Sequence, residues 1–466
     1  MKKILIVDHF MVTPYFETSV EIALTNLDKG NDVTFYYVDV FYDYFRIPGH
    51  LNFSFFKNLK WLRNDKKKKI KVLKILEAKG VKVFHLKNKN IFTFFKSFKY
   101  AFFHPLSIDL IKSYEFYGAN LGVGVASSYV SSLGDDQPLI GLKSRLIKKL
   151  LFESSIAYEL VRKKGLNHRF SEFYTLNGRH YLDHAFVKAC ATISKEVFVF
   201  ELGFNYSKYE IFRYPLHSFF NKNVSIMKYW AEAKDNKIVI AESFFVKNRT
   251  GFDFNIPSFS KSFKNNLINI KTNKRKIVYF VSSDDEIAYI DAMEEMEQPI
   301  FKNQYVLIEF IKVWLREIEN IQLVIRVHPY ISTKSNRLKY YWNNLHIPGV
   351  IVYPSYSEVN SYELIEWSDV VLTYGSTMGF EATYYGKPSI SAGLSDYRML
   401  NCTYNPKNKE ELLMLLNDNE LLALPKLSCL PYAYYLNSFG IDYNYFTPLA
   451  FNDGYLTIDG EIIKLI

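Results

Sequence analysis

The feature that most constrains this chain is an alternation of short apolar runs with helix-length segments, begun twice along its length. The first round opens at once, with ILIV at 4–7, a turn around Pro14, a helical stretch from about Glu17 to Leu27, and DVTFYYV at 32–38. A β-α-β opening of this kind predicts a parallel sheet with helices on its faces. VKVFHL at 81–86 reads as a further strand behind a helix ending at Gly80, and EFYTLNGRHYLDHAFVKACA at 172–191 sets a tight NGR loop between a strand and a helix. KEVFVFELG at 195–203 is a strand running into a loop. The second round starts at KIVYFVSSDDE, 276–286, and passes through a helix from about Gln304 to Ile318 to QLVIRVHP at 322–329. GVIVYP at 349–354 and DVVLTYGS at 369–376 follow as strands, with a helix beginning at Thr377.

A chain of 466 residues exceeds what one core holds, because domains divide beyond roughly 250–300 residues. The polar, basic stretch KNNLINIKTNKRK at 264–276 reads as a connection, and the boundary is set slightly earlier, near 235. The expected organisation is therefore residues 1–235, residues 236–410, and a helical segment, 411–466, packing back across the two domains.

Hydrophobic residues at 48% and charged residues at 23% exclude a disordered or fibrous chain. The apolar run in MKKILIVDHF is shorter than the roughly 7–15 residues of a signal peptide, and no stretch nears the roughly 20 of a membrane span. Cys190, Cys402 and Cys429 show neither metal-ligand spacing nor a disulfide framework. These features together predict a cytoplasmic protein whose membrane contact, where it has any, is peripheral. The net charge of +10 calls for an anionic partner, with phosphorylated donors and acidic membranes as candidates, and no nucleic-acid-binding module is evident.

The strongest local signal is SDVVLTYGSTMGFEATYYGKPSI, 368–390. Gly375, Ser376 and Thr377 form a small turn between strand and helix, where open amides and the helix dipole favour a phosphate. Glu381, one helical turn further on, is placed to accept bonds from ribose hydroxyls. Plain N-capping by Ser376 or Thr377 is the competing explanation. Arg326 and His328 close a neighbouring strand, and Ser283 follows another; at the carboxyl ends of a doubly wound sheet these would converge on a nucleotide phosphate. A structural role for the lone histidine is the alternative.

These residues resemble the bacterial surface-polysaccharide and capsule-biosynthesis glycosyltransferases. The resemblance is carried by SSDDE at 282–286, RVHP at 326–329, and the 368–390 segment with the trailing GLSDYR at 393–398. The chain is also similar to bacterial transferases of CMP-activated acidic sugars, such as Kdo and sialic acid, through the HP motif and the later Ser/Thr motif. In the first half the resemblance is weaker, resting on TLNGRHYLDHAF at 175–186, FELG at 200–203, LHS at 216–218 and ASSYVSSLGDD at 126–136. It implies a GT-B fold, two Rossmann-like α/β domains facing each other across a cleft, with the first domain toward the acceptor. Asn177, Gly178 and Arg179 then become acceptor-side candidates, Glu201 a general base, and Asp135 and Asp136 further carboxylates. Against these stand a simple Asn-Gly turn, a structural salt bridge for Glu201, and a surface position for the aspartates.

No D-x-D triplet occurs, so the resemblance implies metal-free transfer without a cofactor, the leaving diphosphate or phosphate being met by His328, Arg326 and the Ser376 turn. The expected partners are a nucleotide-sugar donor, with CMP-Kdo or a related acidic sugar first and UDP or GDP sugars open, and a lipid-linked or growing glycan acceptor. A CDP-polyol phosphotransferase of teichoic-acid type and a non-catalytic glycan- or nucleotide-binding partner are the rivals. Finally, KKKKIK at 66–71 and IFTFFKSFKYAFF at 91–103 could lie on an acidic membrane, or form an ordinary helix pair with a solvated Lys face and a packed Phe face.

Overall fold

The structure is a computed structural model that describes residues 1–9, 13–39, 55–88, 90–137, 144–166, 168–213, 218–234, 236–250, 270–283, 299–450 and 453–464. Asp284, Asp285 and Glu286 of the SSDDE segment, Leu216 and His217 of LHS, and the start of the 264–276 connection lie outside the described residues. In chain order the first stretch runs β1 (Lys3–His9), α1 (Tyr15–Asp28), β2 (Asp32–Asp39), α2 (Phe55–Ala78), β3 (Lys82–Lys87), α3 (Ile91–Phe103) and α4 (Ile108–Lys112). It continues through β4 (Glu115–Phe116), β5 (Ala119–Asn120), α5 (Gly122–Leu133), α6 (Ser144–Gly165), β6 (Phe170–Leu176), α7 (Tyr181–Cys190), β7 (Ser194–Leu202) and β8 (Lys208–Arg213). The second stretch holds α8 (Phe219–Glu232), α9 (Lys237–Thr250), β9 (Arg275–Phe280), α10 (Gln304–Glu317), β10 (Ile321–Arg326), α11 (Asn336–Asn343) and β11 (Ile351–Tyr353). Then come α12 (Ser361–Trp367), β12 (Val370–Thr373), α13 (Met378–Tyr384), β13 (Ser389–Ser391), α14 (Lys409–Asn417) and α15 (Leu430–Ser438). Four strands close the chain: β14 (Ile441–Asp442), β15 (Phe446–Ala450), β16 (Asp453–Ile458) and β17 (Glu461–Ile463).

Two compact units emerge, one of Met1–Ser132, Gln137–Leu216 and Gly440–Ile466, the other of Leu133–Asp136 and His217–Phe439. Each is an α/β unit on a largely parallel sheet, the fold class expected from the alternation of strands and helices. The first sheet runs β14-β8-β7-β6-β1-β2-β3, with β3, β2, β1, β6 and β7 parallel and β8 and β14 antiparallel at one edge. Ile4 and Ile6 of β1 pack with Phe35 and Tyr37 of β2 against Phe16 and Val20 of α1 and Val72 and Leu76 of α2. The interior strands read as continuous apolar runs because both faces are covered.

The second sheet is wholly parallel, in the order β11-β10-β9-β12-β13. Alternate residues serve opposite faces. Ile277, Tyr279, Ile325 and Leu372 meet Leu307, Ile311 and Trp314 of α10, whereas Val278, Phe280, Val324 and Val371 meet Leu364 and Ile365 of α12.

Two expected boundaries change. The units part near 216 rather than 235, because α8 joins the second unit: Tyr229 stacks on Tyr434, and the Asn223 side chain accepts from Met399 N at 2.9 Å. The segment expected to be helical to residue 466 instead ends in strands. Its period there is two, with Leu456 and Ile458 buried on alternate positions of β16, and Asp459 and Gly460 at φ 51° and 79° turn the chain into β17. Phe446, Leu456, Ile458 and Ile463 complete the core of the first unit. All three cysteines are buried and free. Among the described residues no helix is long and apolar enough to cross a membrane.

Candidate functional site

The second unit lays β9, β10 and β11 outward to one side and then crosses to β12 and β13 on the other. The order in which strands are added therefore reverses between β9 and β12, and in open α/β sheets that switch opens a crevice at the carboxyl ends of the strands. Ser282 and Ser283 follow β9, His328 follows β10, and Gly375, Ser376 and Thr377 follow β12. Ser282 is fixed by Gln304, whose Oε1 accepts from Ser282 N at 2.8 Å and whose Nε2 donates to Ser282 O at 2.9 Å. Its hydroxyl reaches across to the Tyr374 carbonyl at 3.4 Å, tying the two strand ends together.

Gly375 is obligatory at its position. It has φ +94°, and a Cβ there would stand 2.1 Å from the Leu394 carbonyl oxygen. Thr377 occupies the N-cap of α13 and is exposed, yet makes no side-chain cap bond; the Ser376 hydroxyl accepts weakly from Met378 N at 3.4 Å. The turn is thus shaped by its glycine more than by a hydroxyl cap. The Tyr397 hydroxyl, donating to the Ser376 carbonyl, holds it from behind.

Arg326 differs from the expected phosphate-facing cation. Its guanidinium is buried and donates to the carbonyls of Val327, Pro354 and Ser357 at 2.9, 2.7 and 3.1 Å, so it braces the loops after β10 and β11. Burial lowers its pKa to about 10. His328 keeps a position at the strand mouth. Its Nδ1 accepts from Tyr330 N at 3.1 Å, which leaves the ring proton on Nε2 as a donor. Burial first, then Arg326 and Lys334, push its pKa down to about 4, so the ring is neutral near pH 7.

Glu381 is fully buried behind the turn. Its carboxylate accepts from the Tyr362 hydroxyl at 2.6 Å and from Asn248 Nδ2 at 3.3 Å, partners the sequence did not reveal. Burial raises its pKa to about 7.

The first unit shows a comparable reversal between β1 and β6. Asn177 and Gly178, at φ 48° and 73°, make the NGR segment a left-handed tight turn, as Asn-Gly favours. The turn also fixes Glu201: Asn177 Nδ2 donates to Glu201 Oε2 at 2.5 Å at the end of β7, and Asn177 Oδ1 accepts from Arg179 N at 3.1 Å. Burial raises the Glu201 carboxyl, opposed by Asn177, the Leu202 amide and Arg179. A second pair lies beside this one. His9, ending β1, shares a 2.9 Å hydrogen bond between Nε2 and Asp183 Oδ1 on α7, both buried. The sequence reading passed over this pair; its signal was the Asp8-His9 doublet interrupting an apolar strand just where a parallel sheet opens its crevice.

Asp135 leaves the catalytic set. In the second unit it accepts from Arg337 Nε at 2.9 Å and from the Ser335 hydroxyl at 2.8 Å, and Asp136 pairs with the same guanidinium and accepts from Tyr305 at 2.9 Å. Neither aspartate is the surface residue expected: both carboxylates are committed to the Arg337 guanidinium, and burial, opposed by Tyr305 and Arg337, raises the Asp136 carboxyl. Among the described residues no group of three His, Cys, Asp or Glu side chains could hold a metal ion.

No protein-family model matches the chain, and no curated protein matches it in sequence. Among solved structures, it is similar to Thermosulfurimonas dismutans KpsC, beta Kdo 2,4 transferase, at 16% identity and TM-score 0.40, over 57% of this chain and 79% of that one. The KpsC beta Kdo 2,7 transferase of the same organism gives 18% identity and TM-score 0.34, over 70% and 93%. A putative UDP-N-acetylglucosamine 2-epimerase from Listeria monocytogenes gives 12% identity and TM-score 0.26, over 95% and 93%.

Proposed function

We propose that the chain is a GT-B glycosyltransferase that moves a sugar from a nucleotide donor to a hydroxyl of a growing surface glycan. The observation that carries this reading is the convergence, at the switch point of the second sheet, of Ser282 and Ser283, the neutral His328 and a turn in which only glycine fits at 375. Small hydroxyls, a ring N–H donor and open turn amides suit the phosphate oxygens of a nucleotide. Arg326 contributes by fixing the loops around His328, and its charge adds to the potential there.

In the first unit Glu201, raised by burial and oriented by Asn177, is the proposed base. It takes the acceptor hydroxyl's proton as that oxygen attacks the anomeric carbon. The bond from the anomeric carbon to the phosphate oxygen breaks, and the nucleotide leaves with the electron pair. His328 Nε2–H and the 375–377 amides stabilise the charge that develops on the leaving phosphate, and no metal or cofactor is invoked. A CMP-linked acidic sugar such as Kdo is the proposed donor; the HP pair at 328–329 and the basic balance of the chain support it.

The test is a thermal-shift panel of CMP, CDP, UDP and GDP, since a ligand bound only by the folded state raises its melting temperature. Stabilisation by CMP above the others is expected. Silence toward all four would sink the donor site, and a preference for CDP would favour polyol-phosphate transfer.

A further inference from the structure

We propose that α3 is an interfacial helix that seats the first unit on an anionic lipid bilayer. A helix on a water-soluble body normally buries its large apolar residues. Here the order is inverted. Thr93, Ser97 and Ala101, spaced four apart, are the buried residues, while Ile91, Phe92, Phe95 and Phe103 stand 62%, 82%, 61% and 80% exposed. The packed Phe face offered by the sequence is therefore the outer one.

The helix is nonetheless well anchored. Asn90 caps it, accepting from Phe92 N at 2.9 Å and Thr93 N at 3.3 Å. On the inner side Lys163 of α6 donates to the Thr93 hydroxyl at 3.2 Å, and Phe94 meets Phe152 edge-on at 5.1 Å. Leu110 of α4 and Tyr117, both exposed, extend the apolar surface. A contiguous aromatic face of this kind marks an interaction surface.

Charge selects the occupant. Lys96 lies over the Tyr117 ring at 3.6 Å, Lys148 over the Phe102 ring at 5.7 Å, and Lys99 is exposed between them. The sequence of α3 and its flanks from Asn90 to Ile108 contains no Asp or Glu, the exposed Asp109 and Glu115 coming only beyond it beside Leu110 and Tyr117. Aromatic rings interleaved with lysine suit the boundary between headgroups and acyl chains, where rings insert and ammonium groups reach lipid phosphate. At about 20 Å long the helix lies in that plane rather than crossing it. A second copy fits poorly, because a self-complementary contact on this patch would set the same lysines against each other.

Flotation of the full chain with phosphatidylcholine vesicles, with and without phosphatidylglycerol, tests this without reference to the nucleotide site. Binding is expected to the anionic vesicles only and to weaken with salt. Exchange of Phe92, Phe95 and Phe103 for Ser should weaken it at least about a hundredfold, with an unchanged circular-dichroism melt. Lys96→Gln and Lys99→Gln should each cost about fivefold. Failure of the wild-type chain to bind anionic vesicles, or undiminished binding by the folded triple-Ser variant, would overturn the assignment. So would a concentration-dependent dimer that the same three substitutions abolish, which would give the face to a second copy.

Discussion

Replacing Glu381 by Gln probes the most perturbed carboxyl of the proposed donor site. Burial raises its pKa from 4.5 to about 7, against the hydrogen bonds from Tyr362 and Asn248. A folded pKa above the unfolded one means that, as pH rises, the unfolded chain releases this proton first. The stabilisation tied to the proton is complete below about pH 4.5 and is lost as pH climbs through about 7. Between about pH 5 and about pH 8 the two-pKa linkage relation gives a loss of about 2.5 kcal/mol from this one group. Glu381→Gln cannot titrate and keeps an oxygen for the Tyr362 hydroxyl. Wild type and variant are compared by denaturant unfolding at both pH values, followed by tryptophan fluorescence. That signal reports chiefly on the second unit, which holds Trp230, Trp314, Trp342 and Trp367. The wild type should lose about 2.5 kcal/mol more than the variant on going to the higher pH. Parallel changes in the two proteins would refute the raised carboxyl and with it the water-excluded setting of Glu381 behind the 375–377 turn.

His328→Ala is expected to abolish the nucleotide thermal shift, and in an NMR titration of the wild type the His328 ring signals should stay in place from about pH 8 down to about pH 5.5, because the ring gains its proton only near pH 4. Ring signals that titrate near about 6.5 would overturn the buried, neutral imidazole. Gly375→Ala sets a Cβ against the Leu394 carbonyl and strains φ, so it should cost about 1–3 kcal/mol or more and remove the nucleotide response; a variant that melts and binds like wild type would contradict the turn geometry. Glu201→Gln should lower transfer at least about a hundredfold with nucleotide binding intact. Should it remain active while His9→Ala is dead, the base would be the His9–Asp183 pair.

Local features were the legible ones. Strand runs such as ILIV, the Asn-Gly turn and the glycine before Ser376 each announce a backbone shape that neighbouring residues alone dictate. Pairings between distant segments were hidden. Glu381 finds Asn248 across 133 positions, His9 finds Asp183 across 174, and Arg337 claims Asp135 across 202. Nothing in the local pattern around Arg326 says that its guanidinium turns inward to three carbonyls. The period of α3 predicts a helix with two faces, but which face is buried depends on α6, which meets α3 through Lys163 at Thr93 and Phe152 at Phe94. The closing strands were missed because their alternation is brief and follows two helices.

Those closing strands set a timetable for synthesis. Phe446, Leu456, Ile458 and Ile463 belong to a core whose other buried members all lie at or before Tyr209, ahead of the long 217–439 stretch of the second unit. At ribosomal speeds of about 5–20 residues per second, even β8 waits roughly 12 to 50 seconds for the residues that seal this core, and β1 longer, while the intervening unit is completed and can fold. During that interval the nascent chain carries an unfinished apolar seam. Factors that shield such seams should govern its yield more than the final stability does.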